Sequence, residues 1–491
     1  LDEFPNPWKG GPSRLESLFR GGSDRREAGM KEMFSLRPGM AFHLIGIGGA
    51  GLSALAIVLH EAGYRVSGCD RAPSPFVEAL RVLGVPVHIG HDPAHVGEAE
   101  VLVRSSAVPT DHPEVRAAEA QGRPVVKREA VIGALMADRV GIAIAGSHGK
   151  TTTTAMIAWI ALAARRDPTF IVGGLIHGLG RNARAGQGDL FIVEADEYDR
   201  MFLGLRPRIA VVTTIEHDHP DCYPTPEAFF EAFQAFADQV PPEGLLVMCH
   251  ADPEARRLAD LLERQGRRVI RYGWGPPARW WARPLAVDRF ELFHEGQAAG
   301  VLSLPVPGHH HGLNALAALA VAEAVGIPLE TAREALSRFP GTARRFEVKG
   351  EARGVRVIDD YAHHPGEIRA TLRAARARYP GRPLWAVFQP HTYSRTRALL
   401  EEFAAAFGDA DHVLLLPIYA AREADTLGVR SEDILRRMAH PDARCVPDFE
   451  AAVDFLGRHV RPGDVVLTLG AGDGHRVGER LLEALRALEE G

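Results

Sequence analysis

Apolar residues along this chain come in short runs, each closed by glycine and followed by a stretch of helical spacing. Residues 41–47 form the first run, Gly46-Ile47-Gly48-Gly49-Ala50-Gly51 is its turn, and 52–62 repeats apolar positions at three- and four-residue intervals, the period of an amphipathic helix. A second strand over 64–69 ends in Asp70, and runs at 85–89 and 101–103 continue the alternation, which predicts a parallel α/β domain. Val140–Ala145 reads as a fresh strand with its own Gly turn and a helix from Thr151, placing a domain boundary near Ala137. Beyond it, 190–193, 209–213, 245–248 and 268–272 read as strands, 225–236 as a helix and 280–304 as a β-meander. Pro305-Val306-Pro307-Gly308 breaks the chain before an Ala- and Leu-rich helix over 313–325. A third α/β segment starts near Gly341, with strands at 355–358, 384–388, 412–416 and 465–469. The expected fold class is α/β, in domains 41–137, 138–340 and 341–491, with 1–40 read as a disordered tail.

Composition agrees with three domains, since 491 residues at about 100 to 200 per domain exceed what one core supports. The 46% hydrophobic and 24% charged content is that of an ordinary globular protein, and a net charge of -6 offers no broad basic surface for nucleic acid or for a membrane. No apolar run reaches the ~18 residues of a bilayer span. Four well-separated cysteines form no C-x-x-C pair, so a cytoplasmic location is expected. Lysine is rare, the five being Lys9, Lys31, Lys127, Lys150 and Lys349.

Two Gly turns carry chemistry. Gly46-x-Gly48-x-x-Gly51 after a strand, with Asp70 closing the next, matches a dinucleotide fingerprint: glycine lets backbone approach a pyrophosphate at a helix N-terminus. A tight packing turn and another nucleotide diphosphate both stay open as readings. Gly146-Ser147-His148-Gly149-Lys150-Thr151-Thr152 can converge amides, an ammonium and a hydroxyl on ATP phosphates and Mg²⁺. Ile144 stands five before Gly149, so this loop is shorter than that of a typical GTPase.

Strand ends carry the remaining polar groups. Glu194 and His219 stand where an α/β sheet presents ligands to a phosphate-bound metal, whereas Glu197, Asp199 and Asp218 read as a solvated acidic loop. His309-His310-His311 falls on an irregular segment, lacks i,i+4 helical geometry and is not read as a zinc site. Asp359-Asp360-Tyr361-Ala362-His363-His364-Pro365 and the 389–397 loop each follow a strand of the third segment.

Taken in order, Gly46 to Gly51, Gly146 to Thr152, Glu194 to Glu197, Ile215 to His219, Pro307 to Asn314, Arg344 to Glu347, Asp359 to Pro365 and Gln389 to Arg395 resemble the motifs of the Mur ligases. These are ATP-dependent amide-bond ligases of peptidoglycan precursor synthesis, and the resemblance covers nearly the whole chain after residue 40. It implies a Rossmann-like N-terminal domain, a P-loop central ATPase domain and a Rossmann-like C-terminal domain. Gly46, Gly48, Gly49, Gly51, Asp70, Ser105 and Ser106 would then hold a UDP-sugar. Gly146, Ser147, His148, Gly149, Lys150, Thr151 and Thr152 would hold ATP, with Lys150 on the β- and γ-phosphates. Thr151 and Glu194 would bind one Mg²⁺, and Glu194 with His219 a second. His310 and Asn314 would meet adenine, Arg345 and Asp360 would approach the nucleotide, and His363 and Arg395 would face the incoming amino acid.

The implied reaction joins L-alanine to the lactyl carboxylate of UDP-N-acetylmuramate through an acyl phosphate. Thr214, His311 and Thr392 depart from the family pattern, where Asn, Asn and Arg are usual, and Thr392 bears on how the amino-acid carboxylate is held. No lysine lies between Lys150 and Lys349, so the carbamylated lysine of some relatives is missing, which favours the alanine-adding branch. A branch that attaches a whole tripeptide to the same UDP-sugar is the near alternative. An NAD-dependent dehydrogenase would leave the P-loop unexplained, and a non-catalytic nucleotide-binding regulator would leave the third segment's strand-end groups without a use.

Overall fold

The computed structural model describes residues 35–421 and 423–490, so 1–34 of the expected tail lie outside the described residues. Residues nearest the first strand are not loose: Met40 is buried and Arg37 pairs with Glu100 at 2.7 Å.

The first sheet contains β1 (Ala41–Ile45), β2 (Arg65–Asp70), β3 (Val87–Ile89), β4 (Val101–Arg104) and β5 (Val125–Lys127), parallel in the order β3-β2-β1-β4-β5. Strand order reverses between β1 and β4, and the crevice outside the carboxyl ends at such a reversal is where open α/β sheets bind ligands. The Gly46 turn, which enters the Ala50–Glu61 helix, and the Ser105-Ser106 pair flank that crevice.

The second sheet has ten strands. They are β6 (Val140–Ala145), β7 (Thr169–Ile176), β8 (Arg181–Arg184), β9 (Leu190–Glu194), β10 (Ile209–Val212), β11 (Leu245–Cys249), β12 (Val269–Gly273), β13 (Trp280–Ala286), β14 (Arg289–His294) and β15 (Gln297–Ser303). Their order is β15-β14-β13-β12-β11-β10-β6-β9-β7-β8. β6 is central, so the loop after it, Glu194 at the end of β9 and Thr213-Thr214 after β10 open on one crevice. Most buried residues of the first two sheets and their helices form one continuous core, and a small separate cluster gathers Ile45, Cys69 and Leu102 of the first sheet with Val115 and Ala118 of the Pro113–Ala120 helix.

The third sheet contains β16 (Glu347–Ala352), β17 (Val355–Asp360), β18 (Leu384–Phe388), β19 (His412–Leu415), β20 (Ala443–Cys445) and β21 (Val465–Leu469) in the order β16-β17-β21-β18-β19-β20. All its pairings are parallel except β16 with β17, and separate apolar clusters cover its two faces.

The hydrophobic pattern does not predict β5, β7, β8, β16 and β20. β8 (Arg-Asn-Ala-Arg) and β16 (Glu-Val-Lys-Gly-Glu-Ala) are polar strands at sheet edges, held by antiparallel ladders to one neighbour, where an apolar face is not required. Gly173-Gly174 interrupts the apolar run of β7. The three histidines also differ from expectation: they are the first turn of the His309–Ala324 helix rather than an irregular segment. Gly308 (φ 128°) carries the chain into that helix.

Candidate active site

The β6 loop wraps tightly because two glycines take backbone shapes that other residues rarely adopt. Gly146 has φ 140° and Gly149 φ 80°; a Cβ on Gly149 would come within 2.6 Å of Asn314 Oδ1. The Lys150–Ala163 helix starts here with no side-chain cap, leaving first-turn amides available to an anion. Lys150 Nζ donates to Gly146 O at 2.6 Å and to Glu197 Oε1 at 2.9 Å. Burial alone would lower its pKa, but Glu197, Asp196 and Glu194 raise it.

Thr151 Oγ1 donates to Glu194 Oε1 at 3.0 Å, and Gly173 N donates to Glu194 Oε2 at 2.6 Å. Burial holds the Glu194 carboxyl above its usual range, a group that a cation would return to the ionised form. Hydroxyl and carboxylate side by side fit Mg²⁺, which takes one or two carboxylates and keeps several waters. His219 makes its ion pairs with Glu197 (3.5 Å) and Asp218 (3.7 Å).

Glu197 and Asp218 are not a solvated loop. Both are buried; Glu197 sits on Lys150, and Asp218 accepts from Arg395 Nε at 2.9 Å and Nη2 at 3.1 Å. The buried cation overcomes the desolvation that would raise Asp218 and holds it well below its usual range. Asp199 is partly exposed and pairs with Lys127.

A cleft with about 780 Å³ of empty space, part of it open to solvent, runs from this loop to the third domain. Its wall takes His148, Gly149 and Thr152 from the loop, Thr214 from the β10 end, His310, His311 and Asn314 from the histidine helix, and Arg345, Asp360 and Glu367 from the third domain. Burial lowers His310 to about 4. His311 is buried with neither ring nitrogen hydrogen-bonded. Asp360 accepts from Phe346 N at 2.7 Å and Ala362 N at 2.8 Å, and burial pushes it up to about 6.

Glu367 ties the two domains together and was not among the sequence candidates. It lies 3.2 Å from His148 Nδ1, 3.2 Å from His363 Nδ1 and 3.7 Å from Arg345 Nη1. Opposing the desolvation of a buried ring, Glu367 and the 2.8 Å hydrogen bond to Glu216 raise His148 to about 10. The legible signal was a capping box: His364 caps the Pro365–Arg378 helix and Glu367, three residues on, closes back on it.

Arg395 and His363 face each other's surroundings at the same domain junction. Arg395 Nη1 lies 3.0 Å from His391 Nδ1, and His391 meets the His363 ring edge-on with centroids 5.9 Å apart. Thr392 adopts φ 64° and caps the Tyr393–Ala398 helix, so its side chain serves the turn.

In the first domain Gly46 has φ 81°, and Gly48 N donates to Asp70 Oδ2 at 2.9 Å. A Cβ on Gly48 would lie 2.9 Å from that oxygen. Asp70 therefore buttresses the turn, and the Ala50–Glu61 helix begins at Gly49 without a side-chain cap. Ser105 packs beside Gly46, and Ser106 Oγ lies 3.6 Å from Met201 Sδ. Arg128 fills the space beside Gly51 and donates to Asp196 Oδ2 at 2.7 Å, which puts a cation between the first turn and the acidic loop. Nothing in the spacing of Arg128 set it apart from 51 other arginines.

Residues 41–140 match the Mur ligase family, catalytic domain; 144–322 match the Mur ligase middle domain; 344–472 match the Mur ligase, glutamate ligase domain. The UDP-N-acetylmuramate--L-alanine ligase of Solidesulfovibrio magneticus is 46% identical over 450 residues, 90% of this chain and 98% of that protein. The crystal structure of UDP-N-acetylmuramate-alanine ligase from Thermotoga maritima superposes with a TM-score of 0.76 at 27% identity, covering 91% of this chain and 100% of that one. A murein peptide ligase from Psychrobacter arcticus gives 0.69 at 26%, covering 91% and 99%. Three domain matches in order, and close to half the residues shared along nine-tenths of the chain, mean that this protein belongs to the Mur ligase family.

Proposed function

We propose that this chain joins L-alanine to UDP-N-acetylmuramate with ATP, the two substrates joined being those in the name of its 46%-identical relative. The observation that carries the reading is the cleft: P-loop, histidine helix and third-domain groups line one space, as a reaction between an ATP phosphate and two further substrates requires.

The substrate carboxylate would attack the γ-phosphorus, releasing ADP and leaving an acyl phosphate. The amine of L-alanine would then add to the acyl carbon and phosphate would leave. Anions must be gathered before the first step, and positioning with charge neutralisation supplies most of the rate in phosphoryl transfer. Lys150 would exchange its Glu197 contact for the β- and γ-phosphates, while the loop amides cradle them. His310 and Asn314 would receive the base, and Arg345 would approach the phosphates from the third domain. Thr151 and Glu194 would hold Mg²⁺, which when bound supplies further charge neutralisation. His219, held by Glu197, stands as the candidate for a second ion.

The Gly46 turn, with the uncapped helix amides, Ser105 and Ser106, would take the UDP diphosphate. Arg395 and His363 would face the amino acid, Arg395 being already oriented by Asp218. The ties from the third domain to the central one, Glu367 to His148 and Arg395 to Asp218, would keep water from the acyl phosphate. ADP release measured with UDP-N-acetylmuramate and each amino acid or the tripeptide in turn tests the reading. Turnover with L-alanine is expected, and turnover with tripeptide alone would assign the chain to the peptide-attaching branch.

A further inference from the structure

Away from the cleft, the first domain gathers a second group of metal-ligating side chains. His43 on β1, Cys69 on β2 and Glu114 on the Pro113–Ala120 helix are each completely buried, and one ligand atom from each lies within 4.8 Å of the others. Glu114 Oε2 is 3.0 Å from Cys69 Sγ and 3.2 Å from His43 Nε2. His91, in the loop after β3, brings Nδ1 to 3.3 Å from both Cys69 Sγ and Glu114 Oε1. We propose that His43, Cys69, His91 and Glu114 form a binding site for a zinc-class divalent cation.

Three observations support it. Ligand atoms around tetrahedral zinc, with bonds of about 2.0 to 2.3 Å, sit roughly 3.3 to 3.8 Å apart, and the contacts that Cys69 and Glu114 make with each other and with the two histidines span 3.0 to 3.3 Å. Charge also balances: one thiolate, one carboxylate and two neutral imidazoles neutralise a dication, whereas Glu114 has only histidines as ion-pair partners among the described residues. A buried carboxylate without a cation is costly. Finally, the surroundings orient the ligands. Ser67 Oγ lies 2.9 Å from His43 Nδ1 and so leaves Nε2 for the centre. His95 Nδ1, 3.5 Å from Glu114 Oε1, is buried with no hydrogen-bond partner and stands as a fifth donor.

The mixed sulfur, nitrogen and oxygen set selects zinc-class ions over Mg²⁺, which takes oxygen, so this site is chemically distinct from one at Thr151. It lies directly behind the first Gly turn: Cys69 O accepts from Gly46 N at 2.8 Å and Ile47 N at 3.1 Å. An ion here would clamp β1, β2 and the loop after β3 beneath that turn.

Titration of the metal-stripped full chain with Co²⁺ tests the site. Stoichiometric binding with a thiolate-to-cobalt charge-transfer band and intense tetrahedral d–d bands is expected, displaced by Zn²⁺. Cys69→Ser should abolish the charge-transfer band, and Cys249→Ser should retain it. His91→Ala, at the most exposed ligand, should weaken Co²⁺ binding by more than the roughly 10- to 100-fold typical of losing a ligand's outer hydrogen-bond partner. A charge-transfer band that survives Cys69→Ser would overturn the proposal. So would a wild-type chain that shows none, a result independent of whether any variant folds.

Discussion

Replacing Glu367 with Gln isolates the charge that links the P-loop to the third domain. The amide can still accept from His363 N and His364 N, 3.0 and 3.2 Å away, so the helix cap survives while the negative charge beside His148 is lost. Raising His148 from 6.5 to about 10 corresponds to roughly 5 kcal/mol of preference for the protonated ring. Glu367 is the larger of its two raising partners and Glu216 the other. Loss of one opposite charge at this distance lowers a pKa by about 1 to 3, or roughly 1.4 to 4 kcal/mol.

The sign follows from linkage. A group whose folded pKa is raised contributes stability that is fully present below its unfolded pKa of 6.5 and fades as pH climbs through about 10. Wild-type protein should therefore lose thermal stability between those limits, and Glu367→Gln should lose less because it starts with less. NMR titration of the imidazole Cε1–H, with His148→Gln to identify the signal, reads the pKa directly. A wild-type His148 titrating near 6.5, or one unmoved by Glu367→Gln, would refute the reasoning.

Other substitutions probe the remaining parts. Lys150→Ala should abolish ligation while UDP-sugar affinity, measured by calorimetry, stays nearly intact, because the two Gly turns belong to different sheets; equal loss of both would sink the assignment. Gly48→Ala should weaken UDP-sugar binding while ATP affinity, the control, stays intact, since the added Cβ meets Asp70 and Val77 at 2.9 Å, a crowding that costs about 1 to 3 kcal/mol in a packed interior and must displace the turn. Arg395→Ala should raise the L-alanine KM about ten- to hundred-fold at fixed ATP. It should also lower the melting temperature, because Asp218 is left buried without its cation; an unchanged L-alanine dependence would make Arg395 purely structural.

Local physics made much of this molecule legible from residue order. Val140–Ala145 is apolar at nearly every position because a central parallel strand is covered on both faces, and the glycines at 146 and 149 mark a turn that side chains would block. The same reasoning reached Gly46 to Gly51, the meander and the strands that end in Glu194 and Asp360. Polar edge strands such as Arg181–Arg184 escaped because their stability comes from one neighbour's ladder and leaves no apolar period.

Only the tertiary structure decided which charges meet. Asp218 and Arg395 are 177 residues apart yet make one buried contact, and Glu367 and His148 lie in different domains yet meet at 3.2 Å. A carboxylate in a sequence reads as solvated until folding removes its water, and whether a partner arrives to replace that water depends on how sheets pack. For the same reason His43, Cys69 and Glu114 become a cluster only when β1 and β2 pair and the Pro113–Ala120 helix closes over their ends, with His91 joining from the loop after β3.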